Sequence, residues 1–245
     1  MHSAVSACAR VFAVGTLVTG MLSTPSVFAQ QEASASKSLR IGVIGTGNIG
    51  GALATHWAHA GHELVISGLD PEALKPLAAR LGAKVRVGSP REAAAFGEVV
   101  LISVPYNALP QIGRDYAQEL AGKVVLDTGN PYPQRDGAMA DEARRVGTGV
   151  ASAGYLPGTK LVRAFNAIAA ANLRDLANRP GTRVAIPLAG DDAGALAIAS
   201  RLVRDAGFDP VVVGGLSEAR RFDVGTSVYV KVQDAAELRA ELQLP

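Results

Sequence analysis

Short runs of β-branched and other apolar residues alternate along the chain with longer, alanine-rich stretches of helical periodicity. The predicted strands are residues 39–44, 63–67, 83–87, 98–104, 123–127, 160–165, 182–188 and 208–213. The predicted helices include residues 71–81, 107–120, 136–146, 191–206 and 234–242. This alternation is typical of βαβ units, and it predicts an α/β fold with a doubly wound parallel sheet covered on both faces.

The first predicted strand runs into a Gly-x-Gly-x-x-Gly motif made by Gly45, Gly47 and Gly50, and a helical pattern follows directly. This context, strand then glycines then helix, is the one that a dinucleotide-binding turn requires. Gly45 permits a tight turn, Gly47 lets the backbone approach a pyrophosphate, and Gly50 lets the helix pack against the sheet. The motif therefore predicts binding of NAD or NADP, the alternative being a glycine-rich turn without a ligand.

The end of the second predicted strand bears on the choice between NAD and NADP. A carboxylate there binds the ribose of NAD, whereas a nearby arginine accommodates the 2′-phosphate of NADP. Gly68 offers neither group. We interpret Asp70 as the N-cap of the helix that starts at Pro71, rather than as a ribose ligand. Asp191 and Gly207 are likewise predicted to open and close a later helix.

The first 29 residues predict a cleavable Sec-type signal peptide. Arg10 precedes an apolar run over residues 11–22, and small residues follow where a signal peptidase cleaves. The run is too short for a membrane anchor, so no stable anchor is expected. Residues 30–38 predict a disordered leader, and residues 39–245 one NAD(P)-binding domain with a C-terminal α/β extension. We expect a periplasmic or secreted protein, or a cytoplasmic one if translation starts at Met21.

Composition narrows the chemistry. The one cysteine, Cys8, lies in the predicted signal peptide, which disfavours a disulfide, a thiolate metal ligand or a cysteine nucleophile. His56, His59 and His62 lie close in sequence without an acidic or cysteine partner, so no metal site is expected. The balance of 24 Lys and Arg against 22 Asp and Glu disfavours nucleic acid as a partner. No catalytic acid–base set is visible, which favours hydride transfer between two rings held face to face.

Several spaced motifs resemble the NADPH-dependent F-420 reductases, the NADP oxidoreductase family that works with coenzyme F-420. They are residues 44–50, 60–63, 164–166, 189–192 and 214–220. The resemblance implies a Rossmann domain with a small C-terminal extension, assembled as a homodimer. It further implies hydride transfer between NADP(H) and a small-molecule redox acceptor, either a deazaflavin (coenzyme F-420) or a flavin-like ring.

The resemblance also implies roles for particular residues. The cofactor-binding residues it implies are Gly45, Thr46, Gly47, Asn48, Ile49 and Gly50 around the pyrophosphate, Ser67 and Gly68 near the ribose, Val104 and Pro105 beside the nicotinamide, and Asn130 and Asn166 near the acceptor. Where the family has a Ser-Arg pair gripping the 2′-phosphate, this chain has Gly68-Leu69. Ser67 and Arg91 are the remaining candidates for that contact, and NAD stays an alternative to NADP.

Three alternative functions share the same N-terminal pattern. The chain could be an exported Rossmann-fold protein that binds a nucleotide without turnover, or an NADPH-dependent flavin or ferric reductase. A β-hydroxyacid or pyrroline-carboxylate type of dehydrogenase fits less well. It requires a large helical C-terminal domain, and about half of the chain beyond Leu188 still shows the βα pattern.

Overall fold

Eight strands of the part of the chain that the structure describes form one sheet, in the order β3-β2-β1-β4-β5-β6-β7-β8. The strands are β1 Arg40–Ile44, β2 Glu63–Ser67, β3 Val85–Val87, β4 Val99–Ile102, β5 Val124–Asp127, β6 Lys160–Arg163, β7 Ala185–Gly190 and β8 Asp209–Gly214. This computed structural model describes residues 1–2 and 37–245. Apart from Met1 and His2, the predicted signal peptide lies outside the described residues, as does the predicted leader apart from Lys37 and Ser38. Ser38–Pro245 forms one compact unit.

The sheet is mostly parallel, which confirms the predicted α/β class. Strands β1 to β6 all run in the same direction, and β8 is parallel to β7. The expectation of a purely parallel sheet is wrong at one place, because β7 runs antiparallel to β6. The segment between them does not cross back over the sheet. It stays at the edge where β6 ends, so β7 starts there and runs in the opposite direction.

Helices cover both faces of the sheet, as the alternating pattern predicted. They are α1 Asn48–His59, α2 Pro71–Leu81, α3 Pro90–Phe96, α4 Leu109–Asp115, α5 Ala117–Leu120, α6 Pro133–Asp136, α7 Ala138–Val146, α8 Thr148–Tyr155, α9 Ala170–Asp175, α10 Ala193–Asp205 and α11 Ala235–Glu241. Two 3₁₀ segments, Tyr106–Ala108 and Leu216–Phe222, complete the fold. Within residues 37–245, none of these helices is both long and apolar enough to cross a membrane.

Two predicted helices are broken in the structure. The helix expected over residues 107–120 divides into a 3₁₀ turn, α4 and α5, with Tyr116 in a non-helical conformation between the last two. The helix expected over residues 136–146 divides at Gly137, whose φ of +54° ends α6 before α7 begins. A positive φ interrupts the helical ladder, and glycine adopts it without steric cost.

The helix caps follow the sequence with one correction. Asp70 caps α2 as predicted, because its carboxylate accepts hydrogen bonds from the amides of Glu72 and Ala73. Asp192, not Asp191, caps α10 by accepting from the Ala195 amide. Asp191 instead accepts a hydrogen bond from the Leu216 amide and so fixes the start of the second 3₁₀ segment.

Apolar side chains fill the space on both sides of the sheet and hold α1 in place. Trp57, on α1, is fully buried and lies edge-on to Phe165, with ring centroids 6.2 Å apart. Its indole N–H donates to the Leu202 carbonyl at 2.8 Å, which satisfies the one polar atom of the ring. Because α1 is fixed through this side chain, the glycine loop at its start is held against the sheet.

Candidate functional site

The glycine loop between β1 and α1 depends on two positions without a side chain. Gly45 has a φ of +95°, and a Cβ there would lie 2.3 Å from the Ser103 carbonyl oxygen. A Cβ on Gly50 would lie 2.0 Å from the Gly45 carbonyl oxygen. The amides of Gly45 and Thr46 both donate to the Ser67 carbonyl oxygen at 3.0 Å. The backbone therefore turns tightly here, and α1 approaches it closely.

Gly47, by contrast, faces open space. No atom lies within 4 Å of the position that its Cβ would occupy. Gly47 is the N-cap residue of α1, and no side chain accepts hydrogen bonds from the first amides of this helix. Unpaired amides at a helix start, together with the helix dipole, attract an anion. The loop thus fits a pyrophosphate.

A cleft of about 580 Å³ opens beside the loop, at the carboxyl ends of the central strands. Its volume is in the range of small-molecule sites, and its position is where open α/β sheets bind ligands. Six of the predicted residues line it, namely Gly45, Thr46, Gly47, Gly68, Val104 and Pro105. Asn48, Ile49, Gly50 and Ser67 shape the loop from behind or beside the cleft. One cleft therefore brings together the predicted pyrophosphate and nicotinamide positions.

At the adenosine end of the cleft, neither Ser67 nor Arg91, the two candidates for a 2′-phosphate contact, faces the cleft. Ser67 is fully buried, and its hydroxyl donates to the Val43 carbonyl at 2.8 Å, so it faces the sheet. Arg91 is turned away from the cleft. Its guanidinium hydrogen-bonds to Glu119 and to the Asp115 carbonyl, and it stacks over the Tyr116 ring at 5.3 Å. Neither side chain is placed to bind a 2′-phosphate.

Asn130 and Asn166, the two residues expected near the acceptor, lie together. The Asn130 amide donates to the Asn166 carbonyl oxygen at 2.8 Å. The side chain of Asn166 is only 2% exposed and donates to the Phe222 carbonyl at 3.3 Å. The backbone carbonyl of Asn166 therefore holds the side chain of Asn130. Of the two residues, Asn130 is the one that is partly open to solvent.

A pair of tyrosines beside Asn130 was missed by the sequence reasoning. The hydroxyl oxygens of Tyr132 and Tyr229 are 2.6 Å apart, and Asn130 donates to Tyr229 at 3.4 Å. Burial raises the pKa of the Tyr229 hydroxyl above its usual value, so the group stays protonated at neutral pH. A separation of 97 residues between the two tyrosines leaves no local signal of their contact.

A buried charge cluster supports the loop that carries Asn130. The Arg163 guanidinium, with no exposed surface, donates to the Asp127 carboxylate at 2.7 Å. The other Asp127 carboxylate oxygen accepts from the Gly129 amide, also at 2.7 Å. An Asp223 carboxylate oxygen lies 3.7 Å from a second guanidinium nitrogen of Arg163. The sequence does carry a signal, since Asp127 and Arg163 are the last residues of neighbouring apolar strands and pair in register.

A second cavity, of about 280 Å³, is lined by Pro131, the residue that follows Asn130. Three arginines line it, namely Arg144, Arg145 and Arg220. Arg145 is paired with Glu142, at distances of 2.7 and 3.0 Å. Among residues 37–245, Arg144 and Arg220 form no ion pair or side-chain hydrogen bond. The Asp223 carboxylate also lines the cavity, so the arginines leave an excess of positive charge. We refer to this cavity as the arginine pocket, and this excess favours an anionic ligand.

Two histidines of the described chain, His56 and His62, have structural contacts. His62 is buried. One of its ring nitrogens accepts from the Leu39 amide and the other contacts the Asp205 carboxylate at 3.0 Å. His56 hydrogen-bonds to the Leu173 carbonyl at 2.9 Å. In the described part of the chain, no group of three or more His, Cys, Asp or Glu side chains is arranged to hold a metal.

Comparisons with known proteins concern the family and the fold of the chain. Residues 40–131 match the family described as NADP oxidoreductase coenzyme F420-dependent. The chain is 29% identical over 215 residues to an F420-dependent NADP reductase of Methanothermobacter marburgensis, covering 82% of this chain and 95% of the relative. It is 29% identical over 191 residues to metalloreductase STEAP3 of Rattus norvegicus, covering 75% of this chain. That match spans only 36% of the metalloreductase.

A solved structure shows the same fold over nearly its whole length. A hypothetical protein from Sinorhizobium meliloti matches with a TM-score of 0.70 and 26% identity, covering 83% of this chain and 98% of its own. Fold and cleft together define a Rossmann-type dinucleotide-binding protein. The match to the F420-dependent NADP oxidoreductase family covers the region from β1 to the loop after β5, residues 40–131. The resemblance predicted from the sequence motifs is thereby confirmed over this region.

Proposed function

We propose that this protein is an oxidoreductase that transfers a hydride between NADP(H) and a deazaflavin (coenzyme F-420) or flavin-like acceptor. The observation that carries the proposal is the glycine loop, where Gly45 and Gly50 are tightly enclosed while Gly47 faces an open cleft. Its family and its full-length relative are NADP-dependent reductases, which supports the same reaction type.

The residues of the cleft bind and orient. The amides of Gly47, Asn48 and Ile49 hold the pyrophosphate, while Val104 and Pro105 form one wall of the nicotinamide position. When bound there, NADPH would supply a hydride, and the acceptor ring would take up that hydride with one proton from solvent. Positioning alone contributes roughly 7–11 kcal/mol to such a reaction. This explains how a cleft whose only ionisable lining residue in the described chain is Asp70 can serve a redox reaction.

The acceptor side supports an acceptor that carries an anionic group. Asn130 borders the acceptor ring, and the arginine pocket begins at the next residue, Pro131. Arg144 and Arg220 line this pocket without partners in the described chain, so they are available to a phosphate or carboxylate. We therefore expect charged acceptors to react at lower concentrations than neutral acceptors of the same ring system.

The direct test follows the absorbance of NADPH or NADH at 340 nm with the purified full chain and a series of acceptors. The series contains coenzyme F-420, FMN, uncharged riboflavin and ferric citrate. We expect oxidation with a ring acceptor and a lower KM for FMN than for riboflavin. The Arg144→Gln and Arg220→Gln double variant should raise the KM for FMN and leave that for riboflavin unchanged. Equal effects on both acceptors would contradict the proposal that the arginine pocket binds the anionic group of the acceptor.

Gly47→Asp is the matched control for the dinucleotide. Its Cβ has free space, so the fold should persist, but the added carboxylate lies where the pyrophosphate binds. Loss of oxidation in this variant, with an unchanged circular dichroism spectrum, would tie the activity to the cleft. Activity equal to that of the wild type would refute the assignment.

The second candidate is a binding protein without turnover. It is favoured by the absence, among described cleft residues, of any acid or base beyond Asp70. Tight dinucleotide binding without oxidation by any acceptor of the series would support it over the reductase.

We also propose that the protein is a homodimer exported through its N-terminal signal peptide. Both proposals come from the sequence and from the family resemblance. Light scattering of the purified protein and fractionation of expressing cells test them separately.

A further inference from the structure

We infer that this protein binds NADH at least as tightly as NADPH, because the adenosine end of its cleft holds no group able to bind the 2′-phosphate. The inference rests on the proposed function, since it concerns the same cleft. It departs from what a family named for NADP would suggest. The residues that decide it lie between the end of β2 and the start of α2.

The position that should bind the phosphate holds an uncharged side chain. In Rossmann folds that use NADP, an arginine near the end of the second strand accommodates the phosphate with paired hydrogen bonds. Here β2 is followed by Gly68 and Leu69, and both line the cleft. Leu69 is fully exposed, with 108% relative accessibility, and so contributes almost nothing to the core. An apolar side chain at this point supplies neither a positive charge nor a hydrogen-bond donor to a phosphate.

Neighbouring polar side chains are engaged elsewhere. The Ser67 hydroxyl bonds to the Val43 carbonyl inside the sheet. Arg91 is held on the surface of α4 and α5 by Glu119, the Asp115 carbonyl and the Tyr116 ring. To reach the cleft, Arg91 would have to give up all three contacts.

Arg80 is the basic residue that most needs to be considered. It lines a groove on the other side of the glycine loop, together with Leu77 and His59. Arg80 is nine positions after Pro71, the first residue of α2, which places it roughly 13 Å along the helix from the cleft end. We therefore expect Arg80 to make no contact with the 2′ position of the ribose.

The remaining charge at this end is negative. Asp70 lines the cleft and is exposed, and one of its carboxylate oxygens accepts the two α2 amides that it caps. The cap fixes the carboxylate beside the ribose position. A carboxylate there tolerates a ribose hydroxyl and repels a phosphate. Among residues 37–245, no cationic side chain lines the cleft to offset this repulsion.

The experiment is an equilibrium titration of the full chain with NADH and with NADPH. Fluorescence of the single tryptophan, Trp57 on α1, and isothermal calorimetry give two independent readouts of binding without turnover. We expect the wild type to bind NADH as tightly as NADPH or more tightly. Leu69→Arg should tighten NADPH binding by about tenfold or more, because a charge-assisted hydrogen bond contributes that much. Binding of NADH should stay within about twofold.

Two matched variants separate charge from shape. Leu69→Gln adds a polar side chain of similar reach without the charge, and it should leave the NADPH to NADH ratio unchanged. Asp70→Asn removes the negative charge and keeps a good N-cap, so it should improve NADPH binding selectively. Arg80→Gln should change neither affinity.

The outcomes distinguish this inference from the proposed function. Wild-type binding of NADPH tenfold tighter than NADH would overturn the inference and leave the proposed function intact. So would a selective loss of NADPH binding in Arg80→Gln. Failure to bind either nucleotide at millimolar concentration would overturn the proposed function itself, and the inference with it.

Discussion

Two adjacent glycines of α1 should respond to the same substitution with opposite signs. Gly50 and Gly51 are both in the first turn of the helix, and alanine is the better helix former at either position by about 0.5–1 kcal/mol. A Cβ on Gly51 meets nothing closer than 3.8 Å, from the Thr46 methyl group. Gly51→Ala should therefore raise the free energy of unfolding by about 0.5–1 kcal/mol.

Gly50→Ala should lower the free energy of unfolding. A Cβ there would lie 2.0 Å from the Gly45 carbonyl oxygen, whereas ordinary contacts begin at 3.4 Å, so the atoms must separate by about 1.4 Å. The neighbour is backbone, and Gly45 is itself confined by the Ser103 carbonyl. Forcing extra atoms into such a contact costs about 1–3 kcal/mol. The gain in helix propensity is the same at both positions and cancels, so the two variants should differ by about 1–3 kcal/mol.

Urea unfolding followed by far-ultraviolet circular dichroism measures both values, and Trp57 fluorescence gives a second probe. The displacement of α1 should also weaken dinucleotide binding in Gly50→Ala, whereas Gly51→Ala should bind like the wild type. Equal stabilisation by both substitutions would refute the reasoning. It would mean that α1 does not approach the loop as closely as the structure shows.

Three further predictions concern stability, pH and the acceptor side. Arg163→Met leaves the buried Asp127 carboxylate without its partner. It should lower the free energy of unfolding, measured with urea, by about 3–5 kcal/mol. Adding Asp127→Asn to this variant should restore part of the loss. A cost below 1 kcal/mol would contradict the pairing. Hydrogen bonding from Lys231 lowers the pKa of Glu241 from 4.5 to about 2. The folded pKa is the lower one, so the interaction stabilises the fold above about pH 4.5 and is lost as pH falls towards 2. In Glu241→Gln the free energy of unfolding should depend less on pH in that window. An unchanged pH dependence would contradict the role of Glu241. Asn130→Ala should raise the KM for the ring acceptor about fivefold without changing dinucleotide affinity; an effect on the dinucleotide instead would place Asn130 elsewhere.

The sequence predicted the local parts of this fold because their causes are local. The periodicity of apolar residues indicated all eight strands of the described sheet and helices α1, α2, α10 and α11. Asp70 and Gly207 marked helix ends through their own backbone preferences. The direction of β7 was wrong because the strand pattern is the same whichever way the strand runs. What sets the direction is whether the preceding segment crosses the sheet.

The candidate site divides in the same way. The glycine loop was predicted in full, since the spacing of Gly45, Gly47 and Gly50 itself carries the geometry. The proposed help from Arg91 was wrong because its partners, Glu119 and Tyr116, are distant in sequence. The contacts of Asn130 with Asn166 and Tyr229 span 36 and 99 residues, beyond any local pattern.

The most direct test of the central claim is a crystal structure of the protein with a bound nicotinamide dinucleotide. The account predicts that the pyrophosphate lies within hydrogen-bond distance of the amides of Gly47, Asn48 and Ile49. It also predicts that the nicotinamide ring lies beside Val104 and Pro105. A dinucleotide bound in the arginine pocket, or a cleft left empty at saturating concentration, would contradict it.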